Sequence, residues 1–322
     1  MWITFAFLGA IFQAVEMAIK KKALQVRDMN NVIAFIAYAF AGVLLLLLYV
    51  FQSGNVWIDA SLSATFWSGI FWTVVLNMVG VWFMYKALDV ADLSYLMPFM
   101  TLTSLSLIVP PMIFLGEFPT LKSFFGIVLV VIGAISMDYK FGKNPLSEKD
   151  HLRRKNNRKG VLYFIATATC YTFTPTAMKV AVVASGNVLF ATYMVHLLMG
   201  IGFVLLIGVI AVAQSRKNGA EKNVVRVMSG AFTQTKNNLA NAGMKFFLVV
   251  LLSGVAIAIQ NGSINYAMSI ASVASVFAIK RTMPLFAFVI GVLYFKERNN
   301  LLQKSAATLI MIAGAIMITF SR

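Results

Sequence analysis

The sequence predicts an all-α integral membrane protein: ten transmembrane helices, as two inverted five-helix repeats around a central cavity. Three observations predict it. Of 322 residues, 60% are hydrophobic and 12% charged, with mean hydropathy +0.83, whereas soluble domains carry about 25% charged residues. Apolar runs of the roughly 20 residues that cross a hydrocarbon layer recur along the whole chain. The two halves also share a pattern, since Ala87-Leu88 falls over Ala267-Met268 at an offset of 267 − 87 = 180.

The first five apolar runs predict helices over Trp2–Ile19, Val32–Phe51, Phe66–Leu88, Leu93–Leu115 and Leu121–Asp138. The second five predict Gly160–Val183, Val188–Ala213, Phe246–Met268, Ala271–Phe295 and Leu301–Phe320. In lipid the backbone has no water to bond, so such runs must be helical. They are continuously apolar instead of alternating, which excludes a β-barrel. Met1-Trp2-Ile3 lacks a basic leader region, so the first run reads as a retained helix. A single cysteine, Cys170, excludes an intramolecular disulfide and a Cys-rich metal site.

The repeat divides the chain into a five-helix half over 1–141, a basic linker over 142–159 and a second half over 160–322. The same offset pairs Ala91 with Ala271 and Glu117 with Glu297, and Gly133-Ala134-Ile135 matches Gly314-Ala315-Ile316 with one residue of slippage. Five is odd, so the second half enters the membrane inverted, a construction that puts a binding site between halves near the midplane.

Two polar stretches, Phe141–Lys159 and Gln214–Lys245, hold much of the net charge of +16. No nucleic-acid-binding signature accompanies that charge, and the bias of Lys and Arg toward cytoplasmic loops accounts for it without a polyanion. These stretches and the Lys20–Arg27 loop all follow odd-numbered helices, which by that rule puts them in the cytoplasm and both termini outside.

Buried ionisable residues select the candidate site, because a charge at the bilayer centre costs roughly 2.5–3.5 kcal/mol on insertion scales. Lys280 and Arg281 lie well inside SVFAIKRTMPLFAFVIG, while Met100 and Thr101 occupy the matching places in the first half. Scaffold symmetry therefore does not demand the two cations, which favours substrate binding; a salt bridge to another helix is the competing reading. Glu16 is the acid inside the first run, either a proton-coupling site or a structural partner, of Lys20 at i+4 or of Lys280-Arg281 across the cavity. Lys179 can add to an anion site or snorkel to the interface. Asn77, Asn261 and Asn265, with Gln260, are expected to line the cavity or to bond between helices. Pro98 and Pro284, with Pro110 and Pro111, can let their helices flex. His196 reads as a satisfied interior group.

The segments YKALDVADLSYLMPF…FLGE and NYAMSIASVASVFAIKRTMPLF…YFKE resemble the paired signature of EamA-type proteins of the drug/metabolite transporter superfamily. The resemblance spans essentially the whole chain. It implies a ten-helix carrier of a small metabolite working by alternating access, with both termini in the cytoplasm, against the charge count; orientation stays open. The Lys280-Arg281 pair is similar to one that phosphate translocators of the superfamily use to hold phosphate. Glu16 is similarly placed to the membrane glutamate of small multidrug exporters, which implies the alternative of proton-coupled export of amino acids or cationic drugs.

No catalytic signature such as Gly-x-Ser-x-Gly or His-Glu-x-x-His occurs, so neither an enzyme nor a cofactor or metal is expected. A non-transporting scaffold is the remaining alternative. The expected partners are a small-molecule substrate and the lipid bilayer, with the chain a monomer or homodimer, multi-pass in the cell (plasma) membrane.

Overall fold

Helices follow from the apolar runs because each must satisfy its own backbone. The computed structural model describes residues 1–23, 30–57, 61–90, 106–138, 148–217, 223–283, 285–286, 289 and 301–320. Among them the regular structure is helical: α1 (Trp2–Ala23), α2 (Asn30–Ser53), α3 (Ala64–Val90), α4 (Val109–Leu115), α5 (Leu121–Asp138), α6 (Glu148–Ser185), α7 (Val188–Lys217), α8 (Val224–Ile270), α9 (Val273–Lys280) and α10 (Leu301–Thr319). Among the described residues four candidate spans are long and apolar enough to cross a membrane: Val32–Ser53, Ala64–Met84, Val188–Ala213 and Gly243–Ile270. Large apolar side chains such as Leu47, Phe51, Phe71, Ile113, Phe114 and Leu309 stand exposed, and an apolar surface this extensive requires lipid around it.

Three elements depart from the expected boundaries. α6 begins at Glu148, so part of the basic stretch is helical and continuous with the apolar run. Its Lys, Arg and Glu are good helix formers, and Pro145 lies outside it. The polar stretch after α7 is likewise helical from Val224, and a non-helical Gly243 (φ 77°, ψ 168°) separates it from the span that follows. The third is α9, expected to continue to Phe295, which is broken after Lys280 by a turn; the described residues 283, 285–286 and 289 beyond it are again helical. Arg281 and Thr282 form a turn in which Thr282 N–H bonds Ile279 O at 2.9 Å and Leu285 N–H bonds Thr282 O at 2.9 Å. In the sequence residue 284 is a proline, a residue with no N–H to extend an α-helical ladder.

The chain divides into two compact units. The first comprises Met1–Ala14, Ala60–Val188 and Gln260–Arg322. Within it α3 packs along α6, and α5 along α10. Small residues allow both approaches: a Cβ on Gly314 would stand 2.6 Å from the Gly126 carbonyl oxygen, and one on Gly80 would stand 2.6 Å from the Tyr171 ring. The beginning of α1 meets the end of α8, with Phe5 and Tyr266 ring centroids 4.5 Å apart and Gly9 beneath Ile264.

The second unit comprises Val15–Asp59 and Leu189–Ile259. Here α2 and α7 meet at Gly42–Leu197 and Ala39–Gly200. Tyr49, Phe190 and Tyr193 form an aromatic cluster, and the Tyr193 hydroxyl donates to the Val56 carbonyl at 2.6 Å. Small side chains let the backbones come together, the usual basis of helix association where lipid tails supply no hydrophobic drive.

Candidate functional site

The best-defined polar constellation lies where α4 ends and α9 begins. Pro110 and Pro111 open α4, where their missing N–H groups cost nothing. Gly116 closes it in the left-handed region (φ 65°), a conformation cheap only for glycine. The chain reverses there and delivers the Glu117 carboxylate. Glu117 Oε1 forms an ion pair with the Lys179 ammonium of α6. Its Oε2 accepts from the Val273 N–H, at 2.9 Å, in the first turn of α9. Lys179 also donates to the Ala271 carbonyl at 2.7 Å. Both side chains are largely shielded, 11% and 18% exposed.

The turn itself is built by serines. Ser272 caps α9 in extended conformation and accepts from the Ser275 N–H at 3.4 Å. Its hydroxyl bonds the Ser275 hydroxyl at 2.8 Å, which in turn lies 3.2 Å from the Ser123 hydroxyl of α5. A carboxylate at a helix amino end is favoured by the aligned peptide dipoles. Glu117 thus ties the end of α4, the middle of α6 and the α8–α9 turn together.

At the other end of α9 stand the two cations. Lys280 is half-buried, its ammonium 5.0 Å from the Phe277 ring centroid. Arg281 is half-buried with its Nε enclosed, and its guanidinium lies within electrostatic reach of Tyr171 on α6. Both sit where the helix breaks at its carboxyl end, the end at which positive charge is favoured.

The other predicted residues fall as follows. Glu16 is buried in α1, and the Lys20 side chain lies outside the described ones. Asn77 Nδ2 donates to the Thr73 carbonyl at 2.9 Å, one turn back on α3. Asn265 is buried and Asn261 half-buried on α8. Thr176 Oγ1 and Gln260 Oε1 are buried with no hydrogen-bond partner among the described residues. His196 is buried against Tyr38, with Nδ1 2.7 Å from the Thr192 carbonyl. Pro98 and Pro284 lie outside the described residues.

Two partners escaped the sequence reading. The pairing of Lys179 with Glu117 joins residues 62 apart, and only the repeated closing glutamate marked Glu117 as unusual. Lys86 places its ammonium 3.6 Å from the Trp82 ring centroid, a contact within α3 that the hydropathy reading did not mark.

Apolar helices exposed as if to lipid, small-residue interfaces and a few enclosed charges define a helical membrane protein. The family model of the EamA-like transporter family matches residues 1–137 and 158–320. The chain belongs to that family, and so to the drug/metabolite transporter superfamily. One solved structure, the crystal structure of a protein, aligns with 99% of this chain and 96% of its own at TM-score 0.73 and 11% identity. At that identity the likeness concerns the fold alone. No curated protein matches the chain.

Proposed function

We propose that this membrane transporter carries a small anionic solute, phosphorylated or carboxylated, by alternating access, with Lys280 and Arg281 as the anion-binding groups. The carrying observation is the break in α9. Two adjacent cations stand at the interrupted carboxyl end of an interior helix, and the matching positions of the first half are Met100 and Thr101. A guanidinium can hold a carboxylate or phosphate bidentately and an ammonium acts as a point charge. The orphan oxygens of Thr176 and Gln260 favour a polar ligand or water nearby, since buried polar groups normally find a partner.

The packing supports ten spans as two inverted repeats. Exchange of halves turns α3 on α6 into α8 on α1, and both contacts occur. It also maps the α5–α10 and α2–α7 pairs onto themselves. In this reading the Glu117–Lys179 tie is a closed gate holding the α8–α9 turn against α4 and α6. Lys179 joins the anion site only when that tie opens. Asn77, Asn261 and Asn265 are read as orienting groups, the protein as a plasma-membrane monomer or homodimer, and no catalytic role is assigned.

Uptake of sugar phosphates, carboxylates, amino acids and organic cations into liposomes holding the purified protein tests this, with Lys280→Ala and Arg281→Ala in parallel. Anion uptake lost in both folded variants is the expected result. Burial of Glu16 favours a second reading, proton-coupled export of a cationic or zwitterionic solute. Cation movement abolished by Glu16→Gln and untouched by the α9 variants would replace the first reading with the second.

A further inference from the structure

The helical stretch of α8 before Gly243 has no place in the transport reading. It runs about five turns at 3.6 residues per turn, outside the apolar span that begins at Gly243. Its half-buried residues are Val227, Met228, Ala231, Phe232 and Thr235, spaced i, i+1, i+4, i+5, i+8 as one stripe of an amphipathic helix. The stripe rests on α7: the Met228 methyl reaches Gly208, where a Cβ would stand 2.6 Å from it. The helix therefore lies along the protein's flank.

The outer flank combines an apolar edge with cations. Val225 is 76% exposed and Met244, just past the break, 71%. At about 100° per residue, Val225, Lys236 and Arg226 fall on a single arc of roughly 100°, and Arg226, Lys236 and Lys245 are all exposed. Around them the sequence adds Arg216, Lys217 and Lys222 against one acid, Glu221. A polar face rich in Lys and Arg beside exposed apolar residues is the composition of helices that lie in the headgroup layer. Gly243 provides the corner: its positive φ lets the chain turn from a path along the surface into a path across the membrane.

We propose that residues 224–242 form an interfacial helix that binds the anionic phospholipid surface through Arg226 and Lys236, with Lys245 at the corner and Val225 immersed at the acyl boundary. Clusters of basic residues next to a span attract anionic headgroups, at about fivefold in affinity per cation.

The test uses the full chain in nanodiscs of phosphatidylcholine with or without phosphatidylglycerol. A spin label at Val225→Cys, in a Cys170→Ala background, reports depth from oxygen against nickel accessibility. The expected result is an oxygen-accessible label that sinks further when phosphatidylglycerol is present. Arg226→Gln/Lys236→Gln/Lys245→Gln should abolish that dependence. A nickel-accessible label in both lipids overturns the proposal, as does a dependence unchanged in the triple variant. The unlabelled protein gives a second readout. Purified from mixed micelles, it should retain several-fold more phosphatidylglycerol than the triple variant, and equal retention overturns the headgroup assignment.

Discussion

The two ends of α9 solve the same electrostatic problem in opposite ways. At the amino end a carboxylate meets the helix dipole, and its charge is balanced inside the protein by Lys179. At the carboxyl end two cations meet the dipole; the Lys280 ammonium lies 5.0 Å from the Phe277 ring centroid, and Arg281 is within electrostatic reach of Tyr171. A cation over an aromatic face gains about 0.5–2 kcal/mol, whereas a desolvated bond to a carboxylate is stronger. Dipole and charge agree at both ends, so dipole matching alone does not distinguish a structural charge from a functional one. At the amino end the neutralising partner is Lys179, which makes that charge structural. The amino end is a joint; in the proposed function the carboxyl end is the receptor.

The most severe way to break that contrast is at Arg281. Arg281→Ala is expected to lower anion uptake about 10- to 100-fold, the value of a charged hydrogen bond, with Arg281→Lys keeping part of it. Undiminished uptake by a folded Arg281→Ala protein would make both ends joints. At the amino end, removing one member of a shielded pair strands the other, at about 3–5 kcal/mol. Glu117→Gln and Lys179→Met should each lower the thermal unfolding midpoint, and the double variant should recover part of the loss. Additive losses would show that the two residues act independently.

Smaller effects sharpen the comparison. Gly314→Ala pushes a methyl toward the Gly126 carbonyl and should cost about 1–3 kcal/mol, as overpacking does. Since α5 meets α9 through Ser123 at its amino turn, away from the two cations in the chain, a thermal melt should shift while the apparent affinity for the transported anion holds. A changed affinity would couple that interface to the receptor. Thr176→Val removes a buried hydroxyl whose oxygen lacks a partner, so stability should change by no more than about 1 kcal/mol. A loss of uptake with that unchanged melt would assign Thr176 to the substrate path.

Legibility in the sequence followed the range of the interaction. Helix positions were readable because hydrocarbon thickness and backbone satisfaction act on each run separately. Val188–Ala213 matches a span residue for residue, and Leu121–Asp138 matches a helix. The end of α9 at Lys280 was signalled by Pro284 but read as flexibility, because hydropathy continues smoothly past it. The helix before Gly243 was passed over for the converse reason. Its residues are too polar for a hydropathy reading, although Val227, Met228, Ala231 and Phe232 carry a helical period.

By itself, then, the sequence determined an apolar helical chain with an internal repeat and unusual charges at Lys179, Lys280 and Arg281. Composition and period are local properties, and the bilayer acts on them directly. Only the tertiary structure decided which charge answers which. Lys179 looked available to a ligand until Gly116 turned the chain and brought Glu117 onto it from 62 residues away. A buried charge is defined by what stands within a few ångströms, and that is fixed by packing between helices that sequence distance does not measure.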